Sequence, residues 1–333
     1  MKVCRILAVC LILALLLSGP AGCAEKEPTE KLGVIRLVGT IGPLSIPLAY
    51  MVENKVMASV AETVTLTTWS TPAQLQAIVA GGQGDFISLP TNSAATFYNK
   101  GIQLKLLDCS IWNILFLVST DPNISKIDDL VGKRVIVPYQ GAVPDAIFRY
   151  TLTKQGINPD KDIEIYYAPD PVQAAQLILS GREKYALLSE PSATSVIIKA
   201  KASGLVLYRN LDMNRMWQAA SQGKSQSAIA GTIALGSMAG NDKVIKVFMA
   251  EYQKAVGWLL ANPEEAGKLG AKVLADQGFT ADVLTKSAQN IDWRFETASD
   301  AHDDIQRYFS ALMEVSANFT GGQIPNNAFY YGR

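Results

Sequence analysis

Residues 84–95 read Gly-Asp-Phe-Ile-Ser-Leu-Pro-Thr-Asn-Ser-Ala-Ala. Phe86, Ile87 and Leu89 form a short apolar run that predicts a buried strand. Thr91 or Asn92 then caps a helix, whose first unpaired backbone N–H groups face the loop. Open α/β sheets hold small ligands at such strand ends.

The same unit recurs to either side. Upstream, Val64 to Thr68 alternates as a strand, and Ser70-Thr71-Pro72-Ala73-Gln74 is a helix start. Thr71 caps, Pro72 suits the first helical position and Gln74 completes a capping box. That helix runs to Ala80, where Gly81-Gly82 stops it. Before it lie a strand over 33–38, a glycine-containing loop over 39–45 and a helix over 46–54. The loop lacks the full dinucleotide glycine pattern and a P-loop lysine, which argues against a nucleotide. Downstream, apolar runs at 104–107 and 114–118 predict strands. Residues 126–138 predict a short helix, a glycine turn and a strand, with a loop over 139–144 and a helix over 145–154. A strand over 163–167 leads to Asp170-Pro171-Val172-Gln173, which repeats the cap, proline and glutamine of 71–74. Strands over 185–188 and 205–208 flank a helix opened by Glu190-Pro191. Residues 210–227 read as a polar loop and 229–235 as a long apolar strand. Helices are expected over 242–261, 263–276, 280–289 and 300–317. The strand–helix theme of 64–95 returns in 163–200. Two such units fit an α/β fold of two lobes, each a mixed, mostly parallel sheet flanked by helices.

The 333 residues suffice for two ordinary domains with a large core. Hydrophobic residues at 49% and charged ones at 18% fit a globular chain. Bases and acids number 30 each with no basic run, which argues against nucleic acid as a partner. The first 22 residues read as a targeting segment: Lys2 and Arg5, then the 12-residue apolar stretch Ile6–Leu17, too short to span a bilayer as a mature helix. Ala21-Gly22-Cys23 resembles a bacterial lipoprotein signal, which makes Cys23 the lipidated first residue; Pro20 stands where leucine is usual. An ordinary secretory signal cut nearby is the alternative. Removing 1–22 takes two bases and no acid, leaving 28 bases against 30 acids, a balance of −2. Residues 23–32 read as a polar, flexible tether. With Cys23 lipidated, Cys109 is the one other cysteine of the mature chain, so no internal disulfide forms. Cys109, among Leu106, Leu107 and Ile111, reads as a small buried hydrophobe.

Four features together resemble the solute-binding proteins of ABC transporters, and more narrowly the nitrate/sulfonate/taurine-type family that includes binders of pyrimidine precursors. They are the lipoprotein-like start, QLQAIVAGGQGDFISLPTNSAATFYNKG (74–101), KIDDLVGKRVIVP (126–138) and ANPEEAGKLGAKVL (261–274). The resemblance covers about residues 33–300 and rests on the order of these segments. It implies a type II periplasmic-binding-protein-like fold, with 33–117 and 231–333 in lobe one and 118–230 in lobe two. Residues 114–118 and 229–235 are then the candidate hinges. It further implies a monomeric binding protein without a cofactor, held outside the cytoplasm by its lipid, which delivers a small molecule to a permease and ATPase.

Ligand contacts are expected at strand-to-helix junctions, where free N–H groups and a positive dipole end are available. In lobe one these are Gly42, Pro43, Leu44 and Ser45, then Trp69 and Ser70, then Pro90, Thr91 and Asn92. In lobe two they are Tyr139, Gln140, Gly141, Ala142 and Glu190. Trp112 and Trp217, close to the hinges, join them, although Trp69 and Trp217 also suit a core, and Glu190 suits a helix cap. None of these junctions contains Arg or Lys, so a neutral or amine-bearing organic solute is expected. The rivals are a nitrate- or sulfonate-type anion binder, a pyrimidine-synthesising enzyme dependent on iron and histidine, and a binding protein that feeds a sensor. The one histidine, His302 beside Asp303-Asp304, reads as a solvated helical residue rather than a metal ligand. No Ser-His or Cys-His pair is predicted near the cleft, so no catalytic residue is assigned.

Overall fold

The computed structural model describes residues 31–333, so the targeting segment, Cys23 and most of the tether lie outside the described residues. The chain opens with β1 (Leu32–Thr40), α1 (Ser45–Glu53), β2 (Ala61–Trp69), α2 (Pro72–Ala80), β3 (Phe86–Pro90) and α3 (Thr91–Asn99). Strands β4 (Leu104–Leu106), β5 (Asp108–Asn113) and β6 (Leu115–Ser119) follow. The middle of the chain supplies β7 (Arg134–Pro138), α4 (Val143–Lys154), β8 (Glu164–Ala168), α5 (Pro171–Leu179), β9 (Tyr185–Ser189), α6 (Ser192–Ala202), β10 (Tyr208–Asp212) and α7 (Met213–Ala220). It closes with β11 (Ala230–Leu235), α8 (Asp242–Ala261), α9 (Pro263–Val273), α10 (Ala281–Ala288), β12 (Asp292–Thr297) and α11 (His302–Val315).

The strands form two mixed sheets. One runs β12-β5-β11-β3-β1-β2, with β4 also paired to β11; the other runs β10-β6-β9-β7-β8. Strand β1 pairs parallel with both β2 and β3, and β7 pairs parallel with both β8 and β9. Parallel neighbours need a crossover, and α1, α2, α4 and α5 supply it. The C-terminal ends of β1, β2 and β3 therefore share one edge of the first sheet, and those of β7, β8 and β9 share one edge of the second. Thus 84–95 is a strand–helix junction, as its pattern predicts.

The chain leaves the first sheet between β5 and β6, around Ile114, and returns between β10 and β11. Most of 114–118 lies in β6 of the second sheet, and β11 lies inside the first. Four elements depart from what the sequence pattern predicts, one of them β10, which runs over Tyr208–Asp212 where a strand over 205–208 is expected. Residues 213–220 form a helix where their polar surroundings predict a loop: Asp212 caps it by accepting from the N–H groups of Asn214 and Arg215, and Met213 and Trp217 bury one face. Strands β5 and β12 are not among the expected strands: Asp108, Ser110 and Asn113 sit inside β5, whereas Asp292, Arg294 and Glu296 alternate with Trp293 and Phe295 in β12, a short half-buried strand pattern.

One face of the first sheet buries a polar cluster under α8. Asp108 is fully buried and accepts from Ser110 and from the Thr232 hydroxyl. Gly231 lets this approach happen, since a Cβ there would sit 1.9 Å from the Asp108 carbonyl oxygen. Burial opposes ionisation and pushes the Asp108 carboxyl up from 3.8 to about 7, although its hydroxyl donors pull the other way. Between those values the folded chain keeps a proton that the unfolded chain has lost. The Asp108 contribution to stability is therefore greatest below about pH 4 and falls as pH rises toward 7, by at most about 4 kcal/mol. Asp108→Asn is expected to flatten this fall and to give a higher urea midpoint than the wild type at pH 8. Midpoints measured from pH 4 to 8 check it; a wild-type midpoint that rises across this window relative to that of Asp108→Asn contradicts the assignment.

Candidate functional site

The junctions of the first sheet are held mostly by their own bonds. In the β1–α1 turn, Gly42 and Pro43 carbonyls accept from the Ser45 and Ile46 N–H groups at 3.1 and 3.0 Å, and the Ser45 hydroxyl donates to the Thr40 carbonyl. Leu44 is buried. Gly39 accommodates Ser45, whose Oγ would lie 2.0 Å from a Cβ at that position. Trp69 is half-buried, its Nε1–H donating to the Ser88 carbonyl at 3.1 Å. Thr71 Oγ1 accepts from the Gln74 N–H, the cap the sequence predicts, but Gln74 Oε1 accepts from the Ser70 N–H at 2.8 Å rather than from that of Thr71, so the capping box is shifted by one residue. Pro90 ends β3. Thr91 is fully buried, its hydroxyl donating to the Ala228 carbonyl. Asn92 donates from Nδ2 to the Phe319 carbonyl at 3.0 Å.

Three residues placed near a ligand by the sequence have internal partners. Trp112 is fully buried, donates to the Arg294 carbonyl at 3.0 Å and lies under the Arg294 guanidinium, 4.4 Å from the ring centre. Trp217 is fully buried between Tyr150 and Tyr308, with ring centres 4.2 and 5.3 Å away. The Glu190 side chain is fully buried and accepts from the Thr194 N–H and hydroxyl, both at 3.0 Å, and from Arg209. Burial pushes the Glu190 carboxyl up, while Arg209 and Thr194 oppose the shift. Arg209 also lies over Phe116 at 4.8 Å.

A cavity of about 430 Å³ opens between the two halves of the chain. Gln140, Gly141, Asp145, Arg149 and Tyr167 line it from the second sheet and α4. Val315, Ser316, Asn318 and Phe319 line it from the segment after α11. Phe319 joins two of the expected junctions: its carbonyl holds Asn92 at the end of β3, and it faces the same cavity as Gln140 and Gly141 at the end of β7. Tyr139 and Gly141 carry φ of 57° and 73°, a left-handed conformation that turns the loop back toward α4. Ala142 stands at the N-cap of that helix. Asp145 fixes the loop by accepting from the Gly141 N–H at 2.9 Å. Its other oxygen accepts from Arg149 Nε at 3.0 Å and from the Tyr167 hydroxyl at 2.9 Å. Arg149 further donates through Nη2 to Tyr167 at 2.9 Å and through Nη1 to Asp160 at 2.9 Å. Burial raises the pKa of the Tyr167 hydroxyl, so it is neutral and free to donate at physiological pH.

Of the residues expected at a ligand, Gln140 and Gly141 line this cavity and Asn92 braces its wall. Asp145, Arg149, Tyr167 and the segment 315–319 are additions that the sequence reading does not contain. The i,i+4 pair Asp145–Arg149 is legible as a helical ion pair; the remote C-terminal segment has no local signal. His302 is buried rather than solvated, 4.6 Å from the Tyr330 ring, with Nδ1 against Asp303 and Nε2 against Gln306. Among the described residues no cluster of His, Cys, Asp or Glu is arranged to hold a metal, and Cys109 is free and buried.

No protein-family sequence model matches the chain, and no curated protein does. Solved structures do. An ABC transporter protein from Parabacteroides distasonis superposes with a TM-score of 0.75 at 24% identity, covering 90% of this chain and 99% of the other. The periplasmic aliphatic sulphonate binding protein SsuA from Escherichia coli gives 0.70 at 14% identity over 90% and 92%. The periplasmic nitrate-binding protein NrtA from Synechocystis gives 0.62 at 13% over 87% and 84%. The chain thus has the α/β fold of the periplasmic binding proteins of ABC transporters, the class its sequence resembles.

The Glu190–Arg209 pair gives a direct test of a structural role. Removing one charge of a buried pair strands the other. Glu190→Gln is expected to lower unfolding stability by about 3 kcal/mol, read as a reduced urea midpoint. Unchanged stability would assign Glu190 to a role other than holding Arg209 and α6.

Proposed function

We propose that this chain is an extracytoplasmic solute-binding protein that captures a small organic molecule between two lobes and delivers it to an ABC importer. Residues 33–117 with 231–333 form one lobe in this reading, and 118–230 the other. Residues 1–22 direct export, Cys23 carries a lipid, and 23–32 tether the monomeric domain to a bacterial membrane. Among the described residues, no helix is long and apolar enough to cross a membrane. The protein is a binder rather than an enzyme, without a cofactor.

The observation that carries the reading is the cavity near Phe319. Its two walls come from different halves of the chain, so relative motion of the halves opens or closes it. Its volume of about 430 Å³ suits a small organic molecule. Arg149 in the wall favours a second reading, an anion binder like the sulphonate and nitrate proteins that share the fold.

A thermal-shift screen of a small-metabolite library on the full chain tests the proposal. A ligand that binds only the folded form raises stability by about 2.7 kcal/mol at a hundredfold excess over Kd. At least one solute is expected to raise Tm, and Phe319→Ala is expected to weaken its binding at least tenfold. A library with no stabilising member counts against a solute-binding role. Lipidation has its own readout: Cys23→Ser is expected to abolish incorporation of labelled palmitate and to release the chain from membranes, and continued labelling would refute the anchor.

A further inference from the structure

We infer that the solute is a protonated organic amine with an aromatic or apolar body; this rests on the solute-binding reading above. Three independent features of the cavity lead there.

The first is the state of the helix starts. An open helix N-terminus attracts anions. Here the second sheet's helices meet their own carboxylates instead: Gly141 N–H, just before α4, donates to Asp145, and Thr194 N–H in α6 donates to Glu190. A third helix start, that of α5, is closed in the same way by Asp170, which accepts from the Gln173 N–H at 2.8 Å. At the cavity itself the α4 start is the one concerned, and one of its free N–H groups is already taken by a carboxylate.

The second is the state of the guanidinium. Among the described residues, Arg149 is the one basic side chain lining the cavity. All three of its nitrogens already donate: Nε to Asp145, Nη2 to Tyr167 and Nη1 to Asp160. The group of two carboxylates and one guanidinium carries a formal charge of −1. Asp160 is 70% exposed, so water screens its share, whereas the Asp145 side chain is 5% exposed and keeps its field. Two of its five N–H donors stay free, but an anion that takes them lies beside the Asp145 carboxylate.

The third is the remaining chemistry of the wall. Asp145 Oδ2 accepts a single bond, from Gly141, and so has capacity for one more donor. Tyr167 and Phe319 line the same cavity, and aromatic rings attract ammonium groups. A carboxylate that shares its cavity with aromatic residues suits a cation, and Gln140, Ser316 and Asn318 add neutral polar groups to the lining.

The test uses matched probes on the full chain: phenethylamine and its N-trimethyl form, the neutral 2-phenylethanol, and the anions phenylacetate and benzenesulfonate, each by calorimetric titration at 150 mM salt. The amines are expected to bind at least tenfold tighter than either anion. Asp145→Asn is expected to erase most of that preference. Asp160→Asn, which frees Arg149 Nη1 at an exposed position, is expected to narrow the preference by improving the anions. Tighter binding of either anion to the wild type overturns the inference, whether or not Asp145→Asn folds; so does a folded Asp145→Asn with an unchanged preference. If the metabolite screen finds a stabilising anion, the solute-binding role stands and the amine assignment falls. If neither the screen nor these probes bind, both fall together.

Discussion

Each helix that begins at the end of a parallel strand presents backbone N–H groups with no partner in its own helix. How this chain satisfies them shapes the region around the cavity. Asp145 and Glu190 do so in the second half, Thr71 with Gln74 in the first, and the Gly42 and Pro43 carbonyls at α1. At α3 the Thr91 N–H takes the Ile229 carbonyl. These bonds pin the loops at the strand ends, and the one from Gly141 to Asp145 lies in the cavity wall.

The topology decides where those contacts gather. Parallel pairing around β1 and β7 places each sheet's helix starts along one edge. Antiparallel strands on the far side of each sheet carry the connections between the halves, through β5–β6 and β10–β11. Two buried carboxyls lie at the ends of this arrangement: Asp108 in the first sheet and Glu190 beside the second. Their solutions differ. Glu190 has Arg209 and can stay charged, whereas Asp108 has only neutral hydroxyl donors close by and retains its proton further up the pH scale.

The strands and helices with strong local signals were legible in the sequence. The stretch 84–95 reads directly as β3 and α3, but Pro90 and not Thr91 or Asn92 stands at the N-cap, and both of those side chains bond to remote carbonyls instead. The unit 71–74 reads as a helix start because cap, proline and glutamine each act within four residues. Strand β5 was not legible, since Asp108, Ser110 and Asn113 are polar and become buried only because β11, β12 and α8 cover them. Helix α7 carried a usable signal, an Asp cap followed by apolar residues at 213, 217 and 220, but its polar surroundings masked the period. The site was legible in part for a similar reason. Gln140 and Gly141 sit at a strand end, where sequence logic looks. Arg149 lies well inside a helix, and Phe319 is separated from Asn92 by 227 positions of chain, so only folding brings them to one place.

That long-range contact bears on how binding would work. The Asp145–Arg149–Tyr167 network lies wholly in the second half. The opposite wall, 315–319, is fastened to the first half by Asn92, and by Asn99, which donates to the Thr320 carbonyl at 2.6 Å. In the proposed binding role each wall is already held by its own bonds, so the unfavourable term left is bringing the walls together. Lys154 and Glu314 meet across the gap, but both are substantially exposed, and such a pair contributes at most about 1 kcal/mol. It steers the approach without fixing it. A ligand that touches both walls supplies the differential free energy that favours closure, and one that touches only the Asp145 wall leaves the equilibrium where it was.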